Sequence, residues 1–217
     1  MLREVSFNDL YTTIIVASLT IIVSAKLINF KRFLDFIRLF GASNYLKVYF
    51  KDHLFLDPFD ILLFLNFCVN GTLTGVLTYS HFAQKFEPDA LMFLTLVVVL
   101  GSWILLKILL ELGIGHLFDI PKLFHSYVFQ QISFLNFLGV VLLPLNSLLI
   151  FGASNHQILL IMILLISGII IFTGLLKTIK SYQKLLINNF FYFILYLCTL
   201  EIGPYIVLWK LFSLDIN

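Results

Sequence analysis

The chain has 217 residues, 60% hydrophobic and only 12% charged, with a net charge of +2 and a mean hydropathy of +1.02. A water-soluble domain of this size has nowhere to hide so much apolar side chain, since roughly a quarter of average composition is charged. The near-neutral balance also argues against a nucleic-acid partner.

Long unbroken apolar runs, in place of alternating ten-residue strands, predict an all-α polytopic transmembrane bundle. Six spans are expected, plus an amphipathic interfacial helix, in a single integral membrane domain over residues 1–217. Within it, residues 26–50 read as a cytoplasmic interfacial stretch and 58–212 as a five-span core. Cys68 and Cys198 both lie inside apolar segments and read as small buried hydrophobes, not as a disulfide or a zinc site.

The N-terminus lacks the marks of a cleavable signal peptide, because Arg3 is balanced by Glu4 and Asp9 and no small-residue cleavage site follows. Segment one, Leu10 to Ala25, is short and spans only if flanking residues join the helix. Beyond it, Leu27, Phe30, Phe33, Leu34, Ile37 and Phe40 recur at three- and four-residue intervals, and Lys31, Arg32, Asp35 and Arg38 gather opposite. That pattern predicts a helix over Lys26–Phe40 lying in the headgroup layer, with Lys31, Arg32 and Arg38 in water. Gly41 to Asn44 ends it, and Tyr45–Phe50 offers a second short interfacial piece.

Segment two starts at Asp57-Pro58-Phe59-Asp60, a capping carboxylate before a proline at the first helical position, with a second acid in the first turn. It runs to about Tyr79 and carries Asn66 and Asn70, which read as interhelical hydrogen-bonding groups, as does Asn146 later. Segment three, Ala90 to Leu112, follows the similar start Glu87-Pro88-Asp89. Lys107 and Glu111 stand four apart on it, hence on one face near its end. Asp119-Ile120-Pro121 is expected to begin a short helix ahead of segment four. His116, Asp119 and His125 flank that point, but their spacing does not repeat on one helical face through Pro121, so no metal or cofactor is expected. Segments four (Ile132 to Phe151) and five (Gln157 to Leu176) are two spans, or alternatively a tight hairpin joined at Gly152 to Asn155.

Segment six, Asn189 to Phe212, holds Glu201 near its middle, followed by Gly203 and Pro204. A carboxyl at that depth costs roughly 2.5–3.5 kcal/mol on insertion scales and normally faces a bundle interior or water. Pro204 removes a backbone donor and kinks the helix beside it. Glu201 is therefore either a hydrogen-bonding group at a kink or a working group for protons, ions or an ion pair with Lys107.

Basic residues set the orientation. The loops after segments one, three and five carry ten of them and the opposite side three, which places those loops in the cytoplasm and both termini outside. Phosphate-loop, zinc-protease and nucleophile-elbow motifs are missing from the sequence, so no catalytic residues are assigned and an enzyme is not expected.

The string Tyr-Leu-Cys-Thr-Leu-Glu-Ile-Gly-Pro, Tyr196 to Pro204, within Asn189–Lys210, resembles an uncharacterised family of Bacteroidota membrane proteins catalogued as domain of unknown function 4271. The likeness extends over most of the chain and implies a bacterial inner membrane, without implying an activity. In layout, segments two to six also resemble Yip1-like proteins, whose second span is followed by a short aromatic interfacial loop, as Phe124–Phe134 follows segment three here. The expected role is a non-enzymatic inner-membrane subunit or scaffold that binds partner membrane proteins of an envelope assembly, with anionic headgroups as lipid partners. The alternative is a small transporter or proton-coupled protein using Glu201.

Overall fold

Inside hydrocarbon a backbone has no water to bond to, so runs of twenty or more apolar residues close their hydrogen bonds within a helix. The structure, a computed structural model, describes residues 6–38, 57–83, 89–117, 121–152 and 156–186. Among the described residues there are six helices and no strand: α1 Ser6–Ile28, α2 Phe30–Ile37, α3 Pro58–Ala83, α4 Ala90–Leu117, α5 Pro121–Phe151 and α6 His156–Leu186. Five of these contain windows long and apolar enough to cross a membrane: Asp9–Ile28, Pro58–Phe82, Ala90–Gly113, Phe124–Phe151 and Gln157–Gly174. The protein is an all-α polytopic bundle. The sixth segment, with Glu201, Gly203 and Pro204, lies outside the described residues.

Local signals explain the helix limits. Segment one gains its length from both flanks, giving α1 its 23 residues and taking Lys26 into its last turn. The expected helix over Lys26–Phe40 is thus not one element, because Asn29 interrupts it. Asn29 leaves helical dihedrals (φ −149°, ψ 86°) and its side chain accepts the Arg32 N–H at 3.1 Å, capping α2. Asp57 stands at the N-cap of α3, its carbonyl accepting from Ile61 N–H, and Asp89 does the same for α4 with Phe93. Pro121 is the first residue of α5, where its missing N–H costs nothing. No separate short helix precedes segment four. The predicted interfacial piece is the beginning of one 31-residue helix, since no breaker follows Pro121 until Pro144.

The chain divides into two compact units, Met1–Gly174 and Leu175–Asn217. Of the second, residues 175–186 are described, the last turns of α6. In the first, α5 packs most extensively on α3, with α1 and α4 against the same pair. Hydrogen bonds join Asp60 to Asn136 and Asn70 to Asn146, so the two central helices run parallel. They approach closely at Gly139, where an added Cβ would stand 2.6 Å from the Phe67 Cα. Gly115 gives the α4–α5 elbow a similar fit against the Phe124 ring. Phe59, Leu63, Phe67, Leu138 and Leu142 fill the core between α3 and α5. The outer faces are apolar too, as with Val16, Leu19 and Val23 on α1 and Leu94, Val98 and Leu105 on α4, which is what a lipid-facing surface requires.

Candidate functional site

Three polar constellations interrupt this apolar bundle. The first is built on α2, whose 100° step per residue puts Arg32, Phe33 and Phe36 on one face, and that face is buried. Arg32 is only 1% exposed. Its guanidinium reaches Asp57 through one nitrogen and Asp60 through the other, at 2.6 Å for the latter. It also lies 4.7 Å from the centroid of the Phe59 ring. Guanidinium suits this place because its planar fork serves two carboxylates while its face stacks on an aromatic ring. Phe36 completes the seat with edge contacts to Phe59 and Phe137, both at 6.1 Å between centroids. Arg32 was expected in water with Lys31 and Arg38; only those two are exposed, and Arg32 clamps α2 to the start of α3. The physical reason is that two carboxylates at a helix start already crowd negative charge there, and a buried cation neutralises it.

The second is a seam of amides deeper in the bundle. Most hydroxyls in the spans bond to their own helix one turn back, as Thr13 does to the Asp9 carbonyl at 2.7 Å and Ser167 to that of Ile163 at 2.7 Å. The asparagines behave differently. Asn70 Nδ2 donates across to Ser18 Oγ on α1 at 3.2 Å and to Asn66 Oδ1 at 3.0 Å. Asn146 Nδ2 donates from α5 to the Asn70 carbonyl at 3.1 Å, while Thr74 Oγ1 donates to Asn146 Oδ1 at 3.0 Å. Asn136 Nδ2 reaches the Asp60 carbonyl at 3.4 Å, joining the seam to the Arg32 cluster. Ser18, Asn66, Asn70, Asn136 and Asn146 have no exposed surface at all. Asn66 Nδ2, Asn70 Oδ1, Thr72 Oγ1 and Asn136 Oδ1 meet no hydrogen-bond partner among the described residues. Each such atom costs roughly 1–3 kcal/mol when buried. The network is tolerated rather than optimal.

The third constellation lies at the end of α4. Lys107 Nζ stands 3.7 Å from Glu111 Oε1, and Glu111 is 3% exposed. Gln131 on α5 faces both. With its amide turned to match them, the nitrogen donates to Glu111 Oε2 at 2.9 Å and the oxygen accepts from Lys107 Nζ at 2.8 Å. The expected same-helix pair therefore gains a member from the neighbouring helix. An interaction of Lys107 with Glu201 falls outside the described residues. Removing the cation takes from the buried Glu111 the charge that faces it, so Lys107→Met is expected to cost about 3 kcal/mol of stability. Adding Glu111→Gln is expected to restore most of it, because no buried charge is then uncompensated. Denaturant titration of the purified variants checks this, and equal losses in the single and double variants would refute it.

His116 and His125 were judged by their spacing along one helix. The α4–α5 elbow instead brings them together from two helices, 6.3 Å between centroids and edge to face. Asp119 lies outside the described residues, among which no group of three metal-ligating side chains gathers. Cys68 packs beside Gly101, whose added Cβ would meet its sulfur at 3.5 Å.

A family model described as "Domain of unknown function (DUF4271)" matches residues 11–212. The chain belongs to this family. No curated protein and no solved structure matches it. For this DUF4271 protein the sequence reading missed Ser18, Gln131 and Asn136, and it treated Asp57 and Asp60 only as helix-start acids. One signal for Asn136 was in view, since Phe-Leu-Asn-Phe occurs twice, at 64–67 and 134–137. The chemistry that all three constellations support is cohesion, with charges and amides holding one helix to the next.

Proposed function

We propose that the protein is a non-enzymatic integral subunit or scaffold of a bacterial inner membrane, binding partner membrane proteins of a cell-envelope assembly. The observation that supports it is the use made of buried charge. Among the described residues the two buried charged side chains, Arg32 and Glu111, are spent on contacts with other residues of this chain. The outward face of α4 meanwhile offers Leu94, Val98, Leu105 and Leu109 at the spacing of one helical stripe, a surface suited to lipid or to a partner helix. In mild detergent, a tagged chain is expected to bring down an integral membrane partner at fixed stoichiometry.

The alternative is a small transporter or proton-coupled protein, favoured by Glu201 amid an apolar stretch beside Gly203 and Pro204. A monodisperse monomer or homodimer whose ion or proton flux in proteoliposomes is abolished by Glu201→Gln would establish that reading instead. A Gln variant that keeps normal assembly supports the scaffold.

The division of basic residues, ten on one side of the six-span reading against three on the other, supports a cytoplasmic α2 side with both termini outside. Reporter fusions after residue 217 are expected to behave as extracytoplasmic, and those near Ser181 as cytoplasmic. A cytoplasmic C-terminus would remove or add a span. Anionic headgroups are the lipids such basic loops favour.

A further inference from the structure

The structure separates α2 into three faces, and only one of them faces the bundle. Arg32, Phe33 and Phe36 are buried. Phe30, Leu34 and Ile37 form an apolar row that remains exposed. Lys31 and Arg38, with Asp35 between them, form the third face, and both cations are exposed. The apolar row does not stand alone. It follows in the chain on the exposed stripe Leu19, Val23 and Leu27 of α1, a helix long and apolar enough to cross a membrane. At the joint Lys26 Nζ lies 5.5 Å from the centroid of the Phe30 ring, which brings a third cation beside the row. An apolar row that follows a span after the break at Asn29, with cations along one side of it, has the pattern of a helix half sunk in the headgroup layer.

We propose that α2 is a fixed docking face for the anionic phospholipid headgroups of its own leaflet. Lys26, Lys31 and Arg38 meet the phosphates while Phe30, Leu34 and Ile37 enter the acyl boundary. Arg32 takes no part in lipid contact; through Asp57 and Asp60 it holds the helix in this pose. This differs from a free amphipathic helix, which must fold as it binds. Here the helix is preformed and seated, so its cations are presented at a set depth and spacing. The proposal rests on the reading that this side of the protein favours anionic lipid. Each basic residue near the surface multiplies that preference roughly fivefold. Three cations against Asp35 then amount to roughly 25-fold enrichment.

The test uses the full chain reconstituted in nanodiscs of phosphatidylcholine with phosphatidylglycerol, the lipids retained after stringent washing being measured by mass spectrometry. In wild type the ratio of phosphatidylglycerol to phosphatidylcholine among the retained lipids is expected to stand roughly 25-fold above the bulk ratio at low salt, and far lower at about 1 M salt, where the Debye length is ~3 Å. The combined Lys26→Gln, Lys31→Gln and Arg38→Gln variant changes exposed side chains, so its melting in phosphatidylcholine alone should match wild type while its enrichment disappears. No enrichment in wild type overturns both the proposal and the anionic-lipid reading beneath it. Enrichment that the triple variant keeps overturns the α2 assignment alone. Depth is read separately, with Leu34→Cys in a background of Cys68→Ser and Cys198→Ser. Protection of Leu34→Cys from a water-soluble maleimide supports the pose, and free labelling overturns it.

Discussion

Arg32→Met is expected to lower the melting temperature of the purified protein by about 6–12 °C. Breaking a buried ion pair by removing one partner costs roughly 3–5 kcal/mol, because the other charge is left uncompensated. Asp57 and Asp60 keep 23% and 14% of their side-chain surface, so water relieves part of that and the lower end applies. At roughly 2–4 °C per kcal/mol for a chain of this size, about 3 kcal/mol gives that range. Arg32→Lys keeps the charge but gives up the two-pronged fork and the flat contact with Phe59, and should fall between the two. Asp57→Asn with Asp60→Asn added to Arg32→Met should recover most of the loss, since the penalty comes from unpaired charge rather than from lost attraction. Thermal unfolding followed by intrinsic fluorescence measures all four proteins. An Arg32→Met variant that melts with wild type would mean that the cluster holds nothing.

Why Arg32 escaped the sequence reading while the spans did not is a matter of range. A span is a local property, a long apolar run, and each of the five described ones was visible as such, segment one only with its flanks added. The amphipathic periodicity of 26–40 was local as well, and it did mark α2. But a helical wheel divides residues into apolar and polar, and Arg32 sits beside Lys31 on the polar arc. The carboxylates that claim it lie 25 and 28 residues further on, beyond the reach of any helical periodicity. The polar seam shows the same division. Asn66, Asn70 and Asn146 stood out as amides in apolar runs, whereas Ser18 sat among other hydroxyls of a Thr- and Ser-rich segment and only its bond from Asn70 distinguishes it. His116 and His125 were weighed along one helix when the elbow joins two. Composition and period find elements; partners between elements need the fold.

Gly139→Ala is the smallest change expected to take the bundle apart. A Cβ there would stand 2.6 Å from the Phe67 Cα and 2.9 Å from its backbone nitrogen, and a backbone cannot swing aside as a side-chain tip can. The central helices must therefore separate, and with them go the contacts their closeness permits. Asn146 would be drawn from the Asn70 carbonyl and Asn136 from that of Asp60. Overpacking typically costs about 1–3 kcal/mol. Amide bonds across a membrane bundle add ~0.6 kcal/mol each on average. Less the roughly 0.5–1 kcal/mol that alanine gains over glycine in a helix, the net loss is about 1–3.5 kcal/mol. Two other glycines of the bundle serve as controls that alter helix propensity equally. Gly75 has nothing within 4 Å of its added Cβ, and Gly71 meets Leu100 only at 3.5 Å, an ordinary contact. Gly75→Ala should stabilise by about 0.5–1 kcal/mol through the unfolded state, and Gly71→Ala should stay close to neutral. Melting temperature and monodispersity in detergent separate the three variants. If Gly139→Ala behaves like Gly75→Ala, the close approach of α3 and α5 does not exist in the protein. If it melts lower and aggregates while the other two do not, Phe67 and Gly139 mark the contact on which the packing of the central pair depends.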